Sequence, residues 1–340
     1  MAVASESFVD SRRRAGGGGR VACPSSKRGH VCPKGVPATA HSTPARRDKM
    51  ADMLQIGNWE IHSVKNGSIR LDGGSMFGVV PKALWQKVAQ PDELNRIHLA
   101  TRTLLAIDRS NGRVVLVDTG CGTKWTQEKA ARFAIRFDAE AIPKALGSAD
   151  LSVEDVTDVV ITHLHFDHNG GLTEWAKEPG GPTRLCYPNA RHWIHRKHWE
   201  HANEPHIKDR ASFLTEDFAA LADTHALHCL EGDTPDPPCP GLRWEVTHGH
   251  TPYQLHPVFG SGRECLLFVG DIVPTVAHLP LGWVMAYDME PMATIAEKQR
   301  VYRRCLSEGL VLAFPHDPQA GAVAIGAPPG RPTVVRTLLA

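Results

Sequence analysis

The stretch "ITHLHFDHNGG", residues 161–171, holds His163, His165, Asp167 and His168 within six positions. Imidazoles and a carboxylate side by side make a poor core and an expensive surface. They do suit a divalent cation, which takes about four N or O ligands at roughly 2.0–2.2 Å. His163 and His165 share one side of an extended chain, because its side-chain period is two. Asp167 and His168 come past the bend and aim at a second position. Such a cluster wraps one ion poorly but supplies part of two.

The missing ligands are expected where other apolar runs end in His or Asp. His250 ends "EVTHGH", Asp271 ends "CLLFVGD" and His316 closes "AFPH". We assign one ion to His163, His165 and His250, and the other to Asp167, His168 and His316. Asp271 then bridges them. Seven ligands leave room for a shared hydroxide, and two ions about 3.5–4 Å apart generate one at neutral pH. It would attack an acyl carbon or a phosphorus centre. Asp167 and Asp271 are the catalytic candidates, one as proton carrier and one as bridge. Asp118, at the end of "VVLVDTG", is expected behind the ligands, orienting their loop. A structural metal site is usually closed by four ligands, often Cys; seven ligands without Cys point to an open, catalytic one. His192, His195, His198 and His201 recur every three residues. The chain is expected to change from strand to helix near Arg196, so this stripe reads as a partly exposed structural segment.

Elements must place these residues. "QIGNWEIHSVKNGSIRLDGG" reads as a hairpin turning at Asn66-Gly67. "ATRTLLAIDRSNGRVVLVDTG" reads as a second hairpin. "MFGVVPKALWQKV" starts a short helix near Pro81, and "KWTQEKAARFAIRF" is a helix. "VTDVVITHLH", "ARHWIHR", "LRWEVTHGH", "CLLFVGD" and "LVLAFPHD" are strands. "RASFLTEDFAALAD" is a loop and helix, and "PMATIAEKQRVYRRCLSEGL" a helix closed by Gly309. Strands alternating with helices predict an α/β class of two mixed sheets packed face to face, with helices outside.

Of 340 residues, 42% are apolar, enough for a large core, and net charge is only +1. Residues 1–49 carry ten Lys/Arg against three Asp/Glu, net +7, leaving 28 against 34, net −6, for the remainder. The acidic body excludes a nucleic-acid binder driven by bulk charge. Residues 1–49, with "SRRRAGGGGR", read as a disordered basic tail. Whether they are a targeting segment, or upstream sequence outside the working protein, stays open. Residues 50–340 are expected to form the hydrolase domain, and a chain begun at Met50 is expected to keep fold and activity. The eight cysteines form no C-x-x-C pair, which fits a reduced, cytoplasmic protein. No apolar run is long enough to cross a membrane.

"THLHFDH", followed in order by His250, Asp271 and His316, resembles the metallo-β-lactamase superfamily from about residue 54 to 320. The resemblance implies an αβ/βα four-layer sandwich with a dinuclear site at one edge. "DGGSMFGVVPKALW", "DRASFL" and "GDIVPTVAHLPLGWVMAYDMEPM" are similar to quorum-quenching N-acyl-homoserine lactone lactonases and methyl parathion hydrolase-like enzymes. This implies two divalent ions per chain, zinc by preference, and opening of a lactone. The alternative is an aryl ester or organophosphate triester hydrolase. Glutathione thioester hydrolysis and non-enzymatic metal binding are weaker alternatives. The expected partner is a small-molecule ester or lactone, with no nucleic acid, no membrane and a homodimer left open. Met76, Phe77, Trp85, Phe213, Trp283, Met285 and Tyr287 are candidates for an apolar substrate pocket, about half of them expected to be core only. Two positions depart from the family's pattern: Pro274 stands where related small lactonases have tyrosine, and Tyr253 replaces the glycine of the turn after His250.

Overall fold

The alternation within single strands decides the layers. In Arg113–Val117, Val115 and Val117 pack toward a second sheet, while Val114 and Leu116 pack outward. Fully burying each such side chain stabilises the fold by about 1.5–3 kcal/mol. The computed structural model describes residues 53–222, 224–326 and 332–340. The basic tail, and Cys23 and Cys32 within it, lie outside the described residues.

The first sheet has eight strands. Leu54–Ile56, Trp59–Asp72, Arg96–Asp108 and Arg113–Val117 pair antiparallel in that order. Asp158–Val160, Arg191–His195 and Leu227–Leu230 then add in parallel, and Arg136–Phe137 pairs Trp59–Asp72. The second sheet has six: Leu242–Thr247, Gln254–Ser261, Glu264–Phe268, Val311–Ala313, Ala322–Gly326 and Thr333–Leu339. Its one parallel pair, Glu264–Phe268 with Val311–Ala313, is bridged by the helix Pro291–Glu308. Ile61, Leu104 and Val160 of one sheet meet Leu255, Phe259 and Phe268 of the other. Outside, Ile142, Leu146 and Leu221 cover the first sheet, while Val301, Tyr302 and Cys305 of the long helix cover the second. These are the four layers of an αβ/βα sandwich.

The long helix begins with Pro291 and ends at Gly309, whose φ of 77° suits glycine. Its Lys298 is fully buried, and its ammonium donates to the carbonyls of His278, Pro280 and Trp283 at 2.6, 2.9 and 2.9 Å. Burial pushes its pKa down to about 7. This lysine anchors the irregular segment that leads to Met285 and Tyr287.

Three expected elements differ. The run 124–137 is helical only over Gln127–Phe133; Ala134 takes φ 48° and ends the helix, and Arg136–Phe137 joins the first sheet as a strand. Asn66-Gly67 is not a turn: Trp59–Asp72 is one strand with a bulge between Lys65 and Gly67. Neither residue has the positive φ that such a turn requires. Instead the Asn66 amide is buried, donating to Thr103 Oγ1 (2.8 Å) and accepting from Thr101 Oγ1 (2.9 Å). The turn lies earlier, at Gly57-Asn58. The segment 210–221 forms three 3₁₀ turns instead of a helix. There Asp217 pairs with buried Lys124 at 3.1 Å, while Phe218 and Leu221 insert into the core. Tertiary contacts override the helical propensity of this run.

Candidate metal centre

Strands deliver the candidate ligand residues to one edge of the sandwich. After Asp158–Val160 the chain turns through His163 and His165 into the short helix Phe166–Asn169, which carries Asp167 and His168. His250 follows Leu242–Thr247, Asp271 follows Glu264–Phe268 and His316 follows Val311–Ala313. All seven are buried. Donor atoms of His163, His165 and His250 lie within 4.8 Å of one another. The same holds for His163, His168 and Asp271, and for Asp167, His168 and His316. Asp271 stands between: its Oδ1 is 3.3 Å from His168 Nε2 and 3.4 Å from His316 Nε2, and its Oδ2 is 3.4 Å from His250 Nε2.

The surrounding hydrogen bonds fix the imidazole tautomers. Asp118 accepts four bonds: from Thr162 N (2.9 Å), Thr162 Oγ1 (2.7 Å), Asn169 Nδ2 (2.9 Å) and His168 Nδ1 (2.9 Å). It sits at φ 55°, which Asp tolerates better than most residues. The Thr162 proton goes to Asp118, so its oxygen accepts from His163 Nδ1 at 3.0 Å. His250 Nδ1 donates to Asp288 Oδ1 at 3.0 Å, and His316 Nδ1 to the Ala100 carbonyl at 2.9 Å. Each Nδ1 thus carries the proton, leaving an acceptor lone pair on Nε2.

These lone pairs converge. His316 Nε2 and His168 Nε2 face each other at 2.9 Å, and His163 Nε2 is buried without a partner. Acceptors pointed at acceptors, beside the carboxylates of Asp271 and Asp167, are repulsive unless a cation lies among them. The chemistry of the donor set therefore fits divalent metal, which His163, His165, His168, His250, His316, Asp167 and Asp271 could hold. Burial and neighbouring imidazoles hold His163 and His165 well below the ordinary pKa. Burial works the same way on His168, but Asp271 and Asp118 overcome it and raise its pKa well above the ordinary value. Burial pushes the Asp271 carboxyl up, and His168, His316 and His250 reverse this to hold it well below the usual range. Positive charge is favoured here, whether brought by protons or by metal.

A cavity of about 170 Å³ opens over the ligands. Leu71, Met76, Leu99, Phe133, Phe166, Met285 and Tyr287 form its apolar wall; Lys208, Asp209 and Ser212 form its polar side. Of the sequence candidates, Met76, Met285 and Tyr287 line it. Phe77 and Trp85 do not: they are fully buried and stacked, with centroids 5.3 Å apart. Trp283 packs edge-on against Phe77 at 5.6 Å, behind the wall. Phe213 packs on the His165 ring at 4.8 Å, bracing a ligand instead of lining the hollow. An apolar aromatic signals burial in a sequence, and burial behind a pocket looks the same as burial at its wall.

Residues 103–320 match the family described as the metallo-beta-lactamase superfamily. This chain belongs to that superfamily. A curated relative, N-acyl homoserine lactonase AttM of Rhizobium radiobacter, is 27% identical over 131 residues, 38% of this chain and 36% of that protein. The match thus spans little more than a third of that relative. Among solved structures, a probable metal-dependent hydrolase from Staphylococcus aureus superposes with a TM-score of 0.75 at 28% identity, covering 84% of this chain and 99% of the other. AidC, a dizinc quorum-quenching lactonase solved with N-hexanoyl-L-homoserine as product, superposes with a TM-score of 0.67 at 18% identity, covering 83% and 96%.

Within this metallo-beta-lactamase superfamily member, some contributors escaped sequence reasoning. Asp288 orients His250 from 38 residues away, and nothing in "YDMEP" marks it. Asn169 donates to the His163 carbonyl at 2.7 Å as well as to Asp118; its place directly after His168 was the available signal. Tyr253 takes φ 59° and turns away from the cavity, stacking on His195 at 4.6 Å and accepting from Lys197 Nζ at 3.1 Å. The Pro274 carbonyl accepts from the His316 amide at 3.1 Å, helping to place that ligand. In the His stripe, the switch to helix does fall at Arg196, but His192, His195 and His198 are buried, not partly exposed. Their side chains satisfy backbone groups, a demand that sequence spacing does not display.

Proposed function

We propose that this protein is a dinuclear metal-dependent hydrolase that opens a lactone of the N-acyl-homoserine type. The reading rests on one observation above others: buried ligand lone pairs converge on two adjacent positions, with the two oxygens of Asp271 divided between them. Two divalent ions, zinc by donor type, would there supply acidification of water and polarisation of a carbonyl oxygen. Asp118 and Asp288 hold the ligand rings in one tautomer. Asp167 Oδ2, 3.6 Å from His316 Nε2, faces the cavity and is placed to carry a proton. Burial holds the Tyr287 phenol above its ordinary pKa, so at neutral pH it is a proton donor at the cavity wall. Met76, Phe166 and Met285 exclude water around the scissile group.

The cavity favours a neutral substrate. Its cation, Lys208, already donates to the carbonyls of Ala286, Tyr287 and Asp288 at 3.1, 2.9 and 2.5 Å, so its three N–H donors are spent and none is left to bind a glutathione carboxylate. Among the described residues no helix is long and apolar enough to cross a membrane. Six described cysteines are free, in keeping with a reducing cytoplasm. The test is metal analysis of the purified protein with a panel of lactones, aryl esters, phosphotriesters and glutathione thioesters. Two ions per chain and the highest kcat/KM on lactones are expected. A higher kcat/KM on phosphotriesters would replace the lactone with the organophosphate reading.

A further inference from the structure

His198 belongs to no ligand group, yet it joins two of the loops that carry ligands. It lies on the helix Arg196–Asn203 and is fully buried. Its Nε2 accepts the amide N–H of Leu164 at 2.9 Å, and Leu164 sits between His163 and His165. Its Nδ1 donates to the carbonyl of Pro252 at 2.8 Å, two residues beyond His250. These partners permit one state only. An amide N–H can only donate and a carbonyl can only accept, so the ring is neutral with its proton on Nδ1. Both nitrogens are consumed, and the ring centroid stands 6.2 Å from that of His163.

We propose that His198 is a positioning residue for one metal position, setting the spacing between the His163–His165 turn and the His250 turn; this rests on the dinuclear reading above. The three residues it spaces are one of the donor groups of the centre. The group made by Asp167, His168 and His316 is held by other contacts, the Asp118 carboxylate and the Ala100 carbonyl. Loss of His198 therefore acts on one ion and spares the other. An apolar residue of similar volume would fill the space but leave the Leu164 N–H and Pro252 carbonyl unpaired, and the two turns would drift apart to find other partners. A glutamine can offer one acceptor and one donor from a single amide group.

The experiment is release of zinc to a chromogenic chelator from wild type, His198→Met and His198→Gln, with circular dichroism as the check on folding. Wild type is expected to release two ions in sequence. His198→Met should weaken one ion by roughly 10–100-fold and leave the other within about threefold, with His198→Gln recovering part of the loss. If His198→Met does not fold, His198→Gln decides: selective weakening of one ion supports the proposal, and parallel weakening of both, or of neither, overturns it. A His198→Met protein that folds and holds both ions as wild type does also overturns it, as does a glutamine variant no better than methionine. A wild type holding fewer than two ions sinks the dinuclear reading and this inference together; a wild type holding two, with His198→Met unaffected, sinks this inference alone.

Discussion

The two ends of the eight-stranded sheet treat polar groups in opposite ways. At the end where the parallel strands finish, Nε2 lone pairs of His163, His168, His250 and His316 crowd inward beneath a cavity of about 170 Å³. At the other end a groove of about 680 Å³ runs past Arg109, Arg113 and Arg191. Each of these guanidiniums already has a carboxylate: Glu60 at 3.1 Å for Arg109, and Asp158 at 3.3 and 2.6 Å for the other two. The larger hollow is chemically satisfied and the smaller one is not. Chemistry follows groups held unsatisfied by the fold, because only they have something left to give a ligand.

Removing the group that joins both ligand positions tests the comparison hardest. Asp271→Ala should lower kcat/KM by at least roughly a hundredfold and loosen both ions, with the far-UV spectrum unchanged. Retained activity with two ions bound would mean that the bridge lies elsewhere. Asp118→Asn comes next: it disturbs a carboxylate accepting four bonds and should weaken metal by roughly 10–100-fold in a chelator titration. Asp288→Asn touches His250 alone and should fall at the low end of that range; the reverse order would reassign the main support of the site. His195→Ala, away from the ligands, should keep both ions and kcat/KM. It should still cost about 1 kcal/mol in denaturant unfolding, because the imidazole caps its helix by accepting from Lys197 N at 3.2 Å. At the satisfied end, Arg113→Met should shift stability by at most about 1 kcal/mol and leave kcat/KM unchanged. A loss of activity there would break the contrast between the two ends.

Local chemistry made much of this molecule legible. Turn residues around Ser110-Asn111-Gly112 announce the hairpin of Arg96–Asp108 and Arg113–Val117. Pro291 and Gly309 bound the long helix. His and Asp at the ends of apolar runs mark the residues that gather at the sheet edge. Such signals lie in a few adjacent residues, so the chain's own order displays them. What only the tertiary structure decided involves partners far apart in sequence. Asn66-Gly67 carries a strong local turn signal, but Thr101 and Thr103 of the neighbouring strand offer the Asn66 amide buried partners, and the strand runs on. Phe77 and Trp85 became core and Met285 became wall through the path of a segment that Lys298 anchors from another helix. Asp288 and His198 acquired their roles from turns 38 and 54 residues away. Residue type sets what a side chain can do; which partner it meets is set by packing that sums over the whole chain.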